Sequence, residues 1–172
     1  VMALYGAPGY SLFTVLPKSP VRGLWFANSR LFAVGGDSLY QVLENGVVSE
    51  LGRLYTNSDP VSMADNGSQL CIVDGPYGYI FTFNTNEFKL LDDGGWRGSS
   101  RVSYQDGYFI FNEPDTGVFY ISSLGDGSKV DSLDFASAEG NPDNLVGHLS
   151  DHRELWMFGE SSVEVFFNSG NP

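Results

Sequence analysis

A strand-rich unit recurs four times along this 172-residue chain, and that recurrence restricts the fold more than any other property of the sequence. Aligned on the middle strand, the copies read Leu31-Phe-Ala-Val-Gly35, Leu70-Cys-Ile-Val-Asp74, Tyr108-Phe-Ile-Phe-Asn112 and Leu155-Trp-Met-Phe-Gly159. A second apolar run follows each after a short polar turn: Leu39–Val42, Tyr79–Thr82, Val118–Ile121 and Val163–Phe166. A third precedes each, starting near Val21, Val61, Val102 and Leu145. The middle strands start 39, 38 and 47 residues apart, in or near the range of propeller blades. A scaffold of this kind leaves function to its loops, edges and irregularities.

The runs alternate in polarity or are continuously apolar, and Gly, Asn, Asp, Ser and Pro bound them. Asn45-Gly46, Asn66-Gly67, Asp106-Gly107 and Asp126-Gly127 have the composition of hairpin turns that need positive φ. The expected fold is all-β and propeller-like, about four blades of four antiparallel strands, forming a single domain over residues 1–172 or part of a larger propeller. The blades cover roughly 21–54, 61–91, 101–133 and 145–167, and the fourth strand of the third blade, at 128–133, is weak. The last blade has three strands. An unassigned strand, Ser11-Leu-Phe-Thr-Val-Leu16, stands before Pro20-Val21 as Glu50–Leu54 stands before Pro60-Val61. Either 11–16 completes the fourth blade and closes a ring, or it finishes a blade that starts upstream. The starting Val1 and final Pro172 favour the second reading, an internal piece of a longer polypeptide.

The net charge is −12, from 21 acidic and 9 basic residues. Such a surface is poor for phosphate, which draws its affinity from Lys and Arg, and for anionic lipid. The expectation is no direct nucleic-acid binding and no membrane. An aromatic share of 15% argues against disorder. No run reaches the length of a transmembrane helix, and no signal peptide is visible. The lone Cys71 lies within an apolar strand pattern and reads as a buried thiol.

Chemistry-bearing constellations are sparse. His148 and His152 straddle a strand-to-turn junction, so a shared zinc is not expected. Asp92-Asp93, Asp131, Asp134, Glu160 and Glu164 read as solvated turn carboxylates rather than a facing glycosidase pair. Asp115-Thr-Gly117 and Asp126-Gly127 suit Asx turns better than calcium loops. Gly35-Gly36 and Gly94-Gly95 open no helix and form no phosphate loop, and no Gly-x-Ser-x-Gly elbow is present. No catalytic residue, metal or cofactor is expected. Trp25 and Trp156 read as core. Tyr77 and Trp96, in Gly-rich segments, read as exposed aromatics. The connection between the third and fourth copies is about eight residues longer than the others and contains Asp134-Phe-Ala-Ser-Ala-Glu-Gly-Asn-Pro-Asp143, the nearest candidate for a helical turn. A long connection is where a repeat protein places specific contacts. Asp134, Phe135, Ala138, Glu139, Pro142 and Asp143 are the candidate assembly loop.

These residues carry a family resemblance. Ala138, Glu139, Pro142 and Asp143, followed by Phe158, Gly159, Ser161 and Glu164, match an Ala-Glu-x-x-Pro-Asp element coupled to an apolar-x-Phe-Gly-x-Ser-x-x-Glu strand pair. In this block the chain resembles the hub, or packaged-DNA stabilisation, proteins of short-tailed phages. The opening Gly6-Ala-Pro-Gly9 element and the earlier blades are similar in pattern only. The resemblance implies a non-enzymatic virion component, assembled in the bacterial host cytoplasm and placed in the tail. It implies a ring of copies in the full-length protein, set between the portal-adaptor ring and the tail needle, that helps close the channel after packaging. Two other readings remain: a carbohydrate- or peptide-binding propeller module, and a propeller glycosidase or lyase.

Overall fold

The computed structural model describes residues 9–138, 140 and 143–167. They form four antiparallel sheets. Blade 1 holds β1 (Val21–Ala27), β2 (Arg30–Gly35), β3 (Ser38–Val42) and β4 (Val48–Arg53). Blade 2 holds β5 (Ser62–Asp65), β6 (Gln69–Val73), β7 (Gly78–Thr82) and β8 (Glu87–Leu90). Blade 3 holds β9 (Val102–Gln105), β10 (Tyr108–Asn112), β11 (Val118–Ser123) and β12 (Asp126–Ser137). Blade 4 has three strands: β13 (Leu145–Asp151), β14 (Glu154–Gly159) and β15 (Val163–Phe167). Strands pair in sequence order within each sheet, and the first strands adjoin one another from blade to blade. The expected propeller-like all-β architecture is present, as an arc of sheets that does not close.

The two-residue turns follow from local chemistry. Asp106 and Gly107 have φ of 51° and 94°, the doubly positive pair that matches the twist of β9 and β10. Asp126-Gly127 departs from expectation. The turn falls at Leu124-Gly125, where Gly125 has φ 71°, and Asp126 already begins β12. Gly127 is needed for a different reason: a Cβ there would meet the Phe109 ring at 2.7 Å.

The core is divided among the gaps between sheets. Each blade has a leading face toward the blade before it and a trailing face toward the blade after. Phe32, Val34 and Leu39 from the trailing face of blade 1 meet Met63, Leu70, Ile72, Tyr79 and Phe81 from the leading face of blade 2. Cys71, Val73 and Ile80 meet Phe109, Phe111 and Tyr120 of blade 3 in the same way, and burial raises the Cys71 thiol pKa. Ile110 and Phe119 meet Leu145, Leu155 and Met157 of blade 4. Middle strands are therefore apolar on both faces, which explains continuous runs such as Leu70–Val73 where a one-sided sheet would alternate.

Two expectations need correction, on residues 134–137 and on Trp156. Residues 11–16 have no ladder partner among the described residues. They cross the leading face of blade 1 instead, where Thr14 Oγ1 donates to Gly46 O at 2.7 Å and the Leu16 side chain lies over Gly35. Residues 134–137 form no helical turn. They extend β12, with Phe135 opposite Tyr120 and Ser137 opposite Val118, after an irregularity at 131–134 takes up extra residues. Trp156 is not core. It lies on the trailing face of blade 4, 37% exposed, where no sheet among the described residues stacks on it.

Phe81 is fully buried, with Phe32 and Phe83 at 5.4 and 5.9 Å. Truncation of a buried phenylalanine usually costs about 3–5 kcal/mol. Phe81→Ala is expected to lower the urea midpoint by a corresponding amount with the slope unchanged.

Candidate functional site

The family-like block converges on one clasp. Asp143 lies in the connection entering β13, and its carboxylate accepts three hydrogen bonds from the β14–β15 turn: Ser161 N at 2.7 Å, Ser161 Oγ at 2.9 Å and Ser162 Oγ at 3.0 Å. The Ser161 N–H, the largest influence, holds this carboxyl below the usual range. Gly159 forms the floor, since a Cβ there would collide with the Asp143 carboxylate. From β15, Glu164 Oε1 accepts the Gly140 N–H at 2.8 Å. The residues Asp143, Gly159, Ser161 and Glu164, spaced far apart in sequence, thus fasten the long connection onto the edge of blade 4. Ala138 is half-buried and donates its N–H to Gly117 O at 2.9 Å. Glu139 and Pro142, with Gly6, Ala7 and Pro8 of the opening element, lie outside the described residues.

Asp134 and Phe135 are solvent-facing on β12. The Arg97 guanidinium lies over the Phe135 ring at 4.5 Å and donates to Ser132 O at 2.7 Å and Glu113 Oε2 at 3.1 Å. This cation–π contact orders an exposed aromatic beside the irregular segment of β12.

The two candidate aromatics separate. Tyr77 is exposed and packs on the more exposed Tyr55 at 5.1 Å. Trp96 is half-buried. Its ring covers Gly78, meets Phe111 at 5.3 Å and Tyr120 at 5.9 Å, and donates from Nε1 to Pro76 O at 3.0 Å. Its glycine-rich flank serves close approach rather than exposure: Gly95 lies against the Val130 backbone with no room for a Cβ.

Polar groups elsewhere tie blade to blade. His148 on β13 is wedged against blade 3, with Nδ1 at 3.0 Å from Ser103 Oγ and Nε2 at 3.3 Å from Arg101 O. The Arg101 carbonyl accepts, so Nε2 carries the proton. Burial lowers the pKa of this imidazole to about 4. His152 faces solvent and contacts Asp151 Oδ1 at 2.7 Å, so the two histidines hold different partners. Among the described residues no three His, Cys, Asp or Glu are placed to share a metal ion. Sequence reasoning missed Arg22, a buried guanidinium held by Asp59 O, Gly36 O, Thr56 O and Thr56 Oγ1. It also missed a polar position on the third strand of every blade, legible only as the recurrence of Tyr40, Tyr79 and Tyr120.

Stacked antiparallel sheets, interblade cores and polar ties define a propeller-type repeat protein. The sequence matches the family described as bacteriophage P22 Gp10, β-propeller, over residues 2–172. The chain belongs to this family, and its role is that of a phage structural and stabilisation protein associated with the virion. No curated protein matches it. Among solved structures it is similar to the computationally designed Ika4 protein, at 9% identity and TM-score 0.63, over 91% of this chain and 98% of that one. It is also similar to a chain of the mitotic checkpoint complex, at 14% identity and TM-score 0.61, over 86% and 46%. The Neurospora crassa Pan2 WD40 domain matches at 14% identity and TM-score 0.56, over 86% and 48%. The chain thus spans about half the length of the latter two, and these likenesses speak to the fold alone.

Two outcomes test the clasp and the wedge. Gly159→Ala should unseat Asp143 and speed proteolytic cleavage between blades 3 and 4, read by limited proteolysis. An unfolded imidazole titrates near about 6.5, and the folded His148 near about 4. As pH falls the unfolded state takes the proton first, so stability present above about pH 6.5 is lost between there and about pH 4. His148→Gln should reduce the stability lost between about pH 7 and 4.5 by roughly 2 kcal/mol, measured by urea denaturation at each pH.

Proposed function

We propose that this protein is a building block of a phage tail, a hub or plug that helps close the portal channel and retain packaged DNA through protein–protein contacts. The observation that carries the reading is membership of the P22 Gp10 β-propeller family over residues 2–172. In this reading it assembles in the host cytoplasm as a ring of copies and meets the portal-adaptor ring on one side and the tail needle on the other.

Charge supports a mechanical mode of retention. Gripping duplex DNA requires a basic face, because affinity comes from releasing counterions around phosphates. With a net charge of −12, the surface repels a polyanion at long range. Phe135 under Arg97, on the blade 2 side of β12, and the Asp143 clasp at blade 4 are two separate ordered surface features suited to protein contacts.

Purified virions should contain this polypeptide, and particles made without it should lose packaged DNA to nuclease. The isolated chain should show no retention on duplex DNA at physiological salt. Virions free of the polypeptide would overturn the structural role, and tight, salt-sensitive DNA binding would overturn the mechanical one.

A further inference from the structure

A solvent-facing aromatic strip runs over blades 2 and 3, both complete four-stranded sheets, and the connections that enter them. It starts at Tyr55, 70% exposed, whose ring packs on Tyr77 at 5.1 Å. Pro76, in the same β6–β7 turn as Tyr77, is exposed, and its carbonyl accepts the Trp96 Nε1 proton at 3.0 Å. Pro76, Trp96, Arg97, Glu113 and Pro114 then wall an open groove of about 570 Å³. On its far side Arg97 pairs with Glu113 at 3.1 Å and lies over the Phe135 ring. Phe135, 51% exposed, ends the strip on β12.

The backbone along this strip is already engaged. Gly75 and Ser99 exchange both N–H···O bonds, and the Asp74 N–H closes onto Tyr77 O. A partner strand would find no open row of N–H and C=O groups to pair with there. The strip presents ring faces and proline rings around a groove instead, the kind of surface on which a polyproline II segment docks. Such a segment needs no ladder, because its own backbone stays solvated, and it is extended before it binds, so little freedom is lost. Among the described residues, Tyr55 and Tyr77 make their hydrogen bonds through backbone groups, which leaves both hydroxyls to donate to the carbonyls of a ligand.

Charge narrows the partner further. Segments 74–77, 92–98, 113–117 and 131–135 carry seven acidic residues against one basic residue, Arg97. Arg97 is itself spent on Glu113, Ser132 O and the Phe135 ring. The acidic rim repels nucleic acid and acidic proteins and gives an uncharged glycan no advantage, whereas it steers and orients a cationic partner.

We propose that this strip is the docking site for a basic, proline-rich polyproline II segment of another protein. Proline rings of the segment lie on the Tyr55–Tyr77 pair and against Trp96, and its lysine or arginine side chains reach carboxylates such as Asp115 and Asp134. The proposal rests on the protein-contact part of the reading above and names a surface and a partner chemistry for it.

The test is an NMR titration of the 172-residue chain with a peptide of three Pro-Pro-Arg units. Binding is expected with a dissociation constant between about 10 and about 500 µM, with shifts at Tyr77, Trp96 and Gly98 and none in blade 4. Peptides of Gly-Ser-Arg and of Pro-Pro-Glu units should bind about tenfold more weakly or worse. Tyr55→Ser with Tyr77→Ser changes exposed side chains, so the double variant should keep the native circular dichroism and lose about tenfold in affinity. Asp115→Asn with Asp134→Asn should weaken binding several-fold, and asparagine suits the positive φ of 59° at Asp115. No shifts at about 1 mM Pro-Pro-Arg peptide, equal binding of the Gly-Ser-Arg peptide, or a preference for maltoheptaose at the same residues would each overturn the proposal. None of these outcomes depends on whether virions contain the polypeptide, so the docking site and the virion role fail separately.

Discussion

Each sheet of this protein is kept from water by the face of its neighbour, and the rest of the structure depends on that stacking. Leu70–Val73 in β6 is fully buried although it belongs to a thin four-stranded sheet. Its even and odd side chains enter two different clusters, one shared with blade 1 and one with blade 3. At about 25 cal/mol per Å² of apolar surface removed from water, such strands are stable only when flanked on both sides. A blade is therefore a cooperative unit with its neighbours, as in other repeat arrays.

Polar ties set the spacing that the apolar layers alone would leave loose. Tyr79, Tyr120 and Glu164 each reach from a third strand to the incoming connection. Arg22 gathers the carbonyls of the connection between blades 1 and 2. An unmade hydrogen bond in such a place costs about 1–3 kcal/mol, so these groups penalise any slip of one blade against the next. Blade 4 follows the same plan with different chemistry. A carboxylate replaces the tyrosine, and Asp143 anchors the longer connection through the β14–β15 turn. The family-like block is thus first of all a device for docking blade 4, whereas Phe135, under the half-buried Arg97, faces solvent on the blade 2 side of β12.

Much of the fold was legible in the sequence because blades repeat. Strand order, the turns at Asn45-Gly46, Asn66-Gly67 and Asp106-Gly107, and the short fourth blade all follow from period and turn residues. The errors share one cause. Trp96 was read by its glycine neighbours, which look alike whether glycine serves exposure or close approach. Residues 134–137 were read as part of a loop with a helical turn because they lie in the stretched connection, whereas pairing with β11 decides their conformation. Trp156 was read as core by residue type, and its burial depends on whether a following sheet exists.

The sequence by itself determined the number of blades in this chain, their antiparallel hairpins and the apolar character of both sheet faces, because these depend on side-chain period and on turn geometry a few residues long. Only the tertiary structure decided that residues 11–16 lie across blade 1 rather than in a ladder, that Asp143 and Glu164 clasp one connection, and that the Tyr40 hydroxyl is left unpaired. Those outcomes turn on which faces meet across more than one blade. No local pattern records that, since the same apolar strand is core or surface according to the sheet that stands next to it.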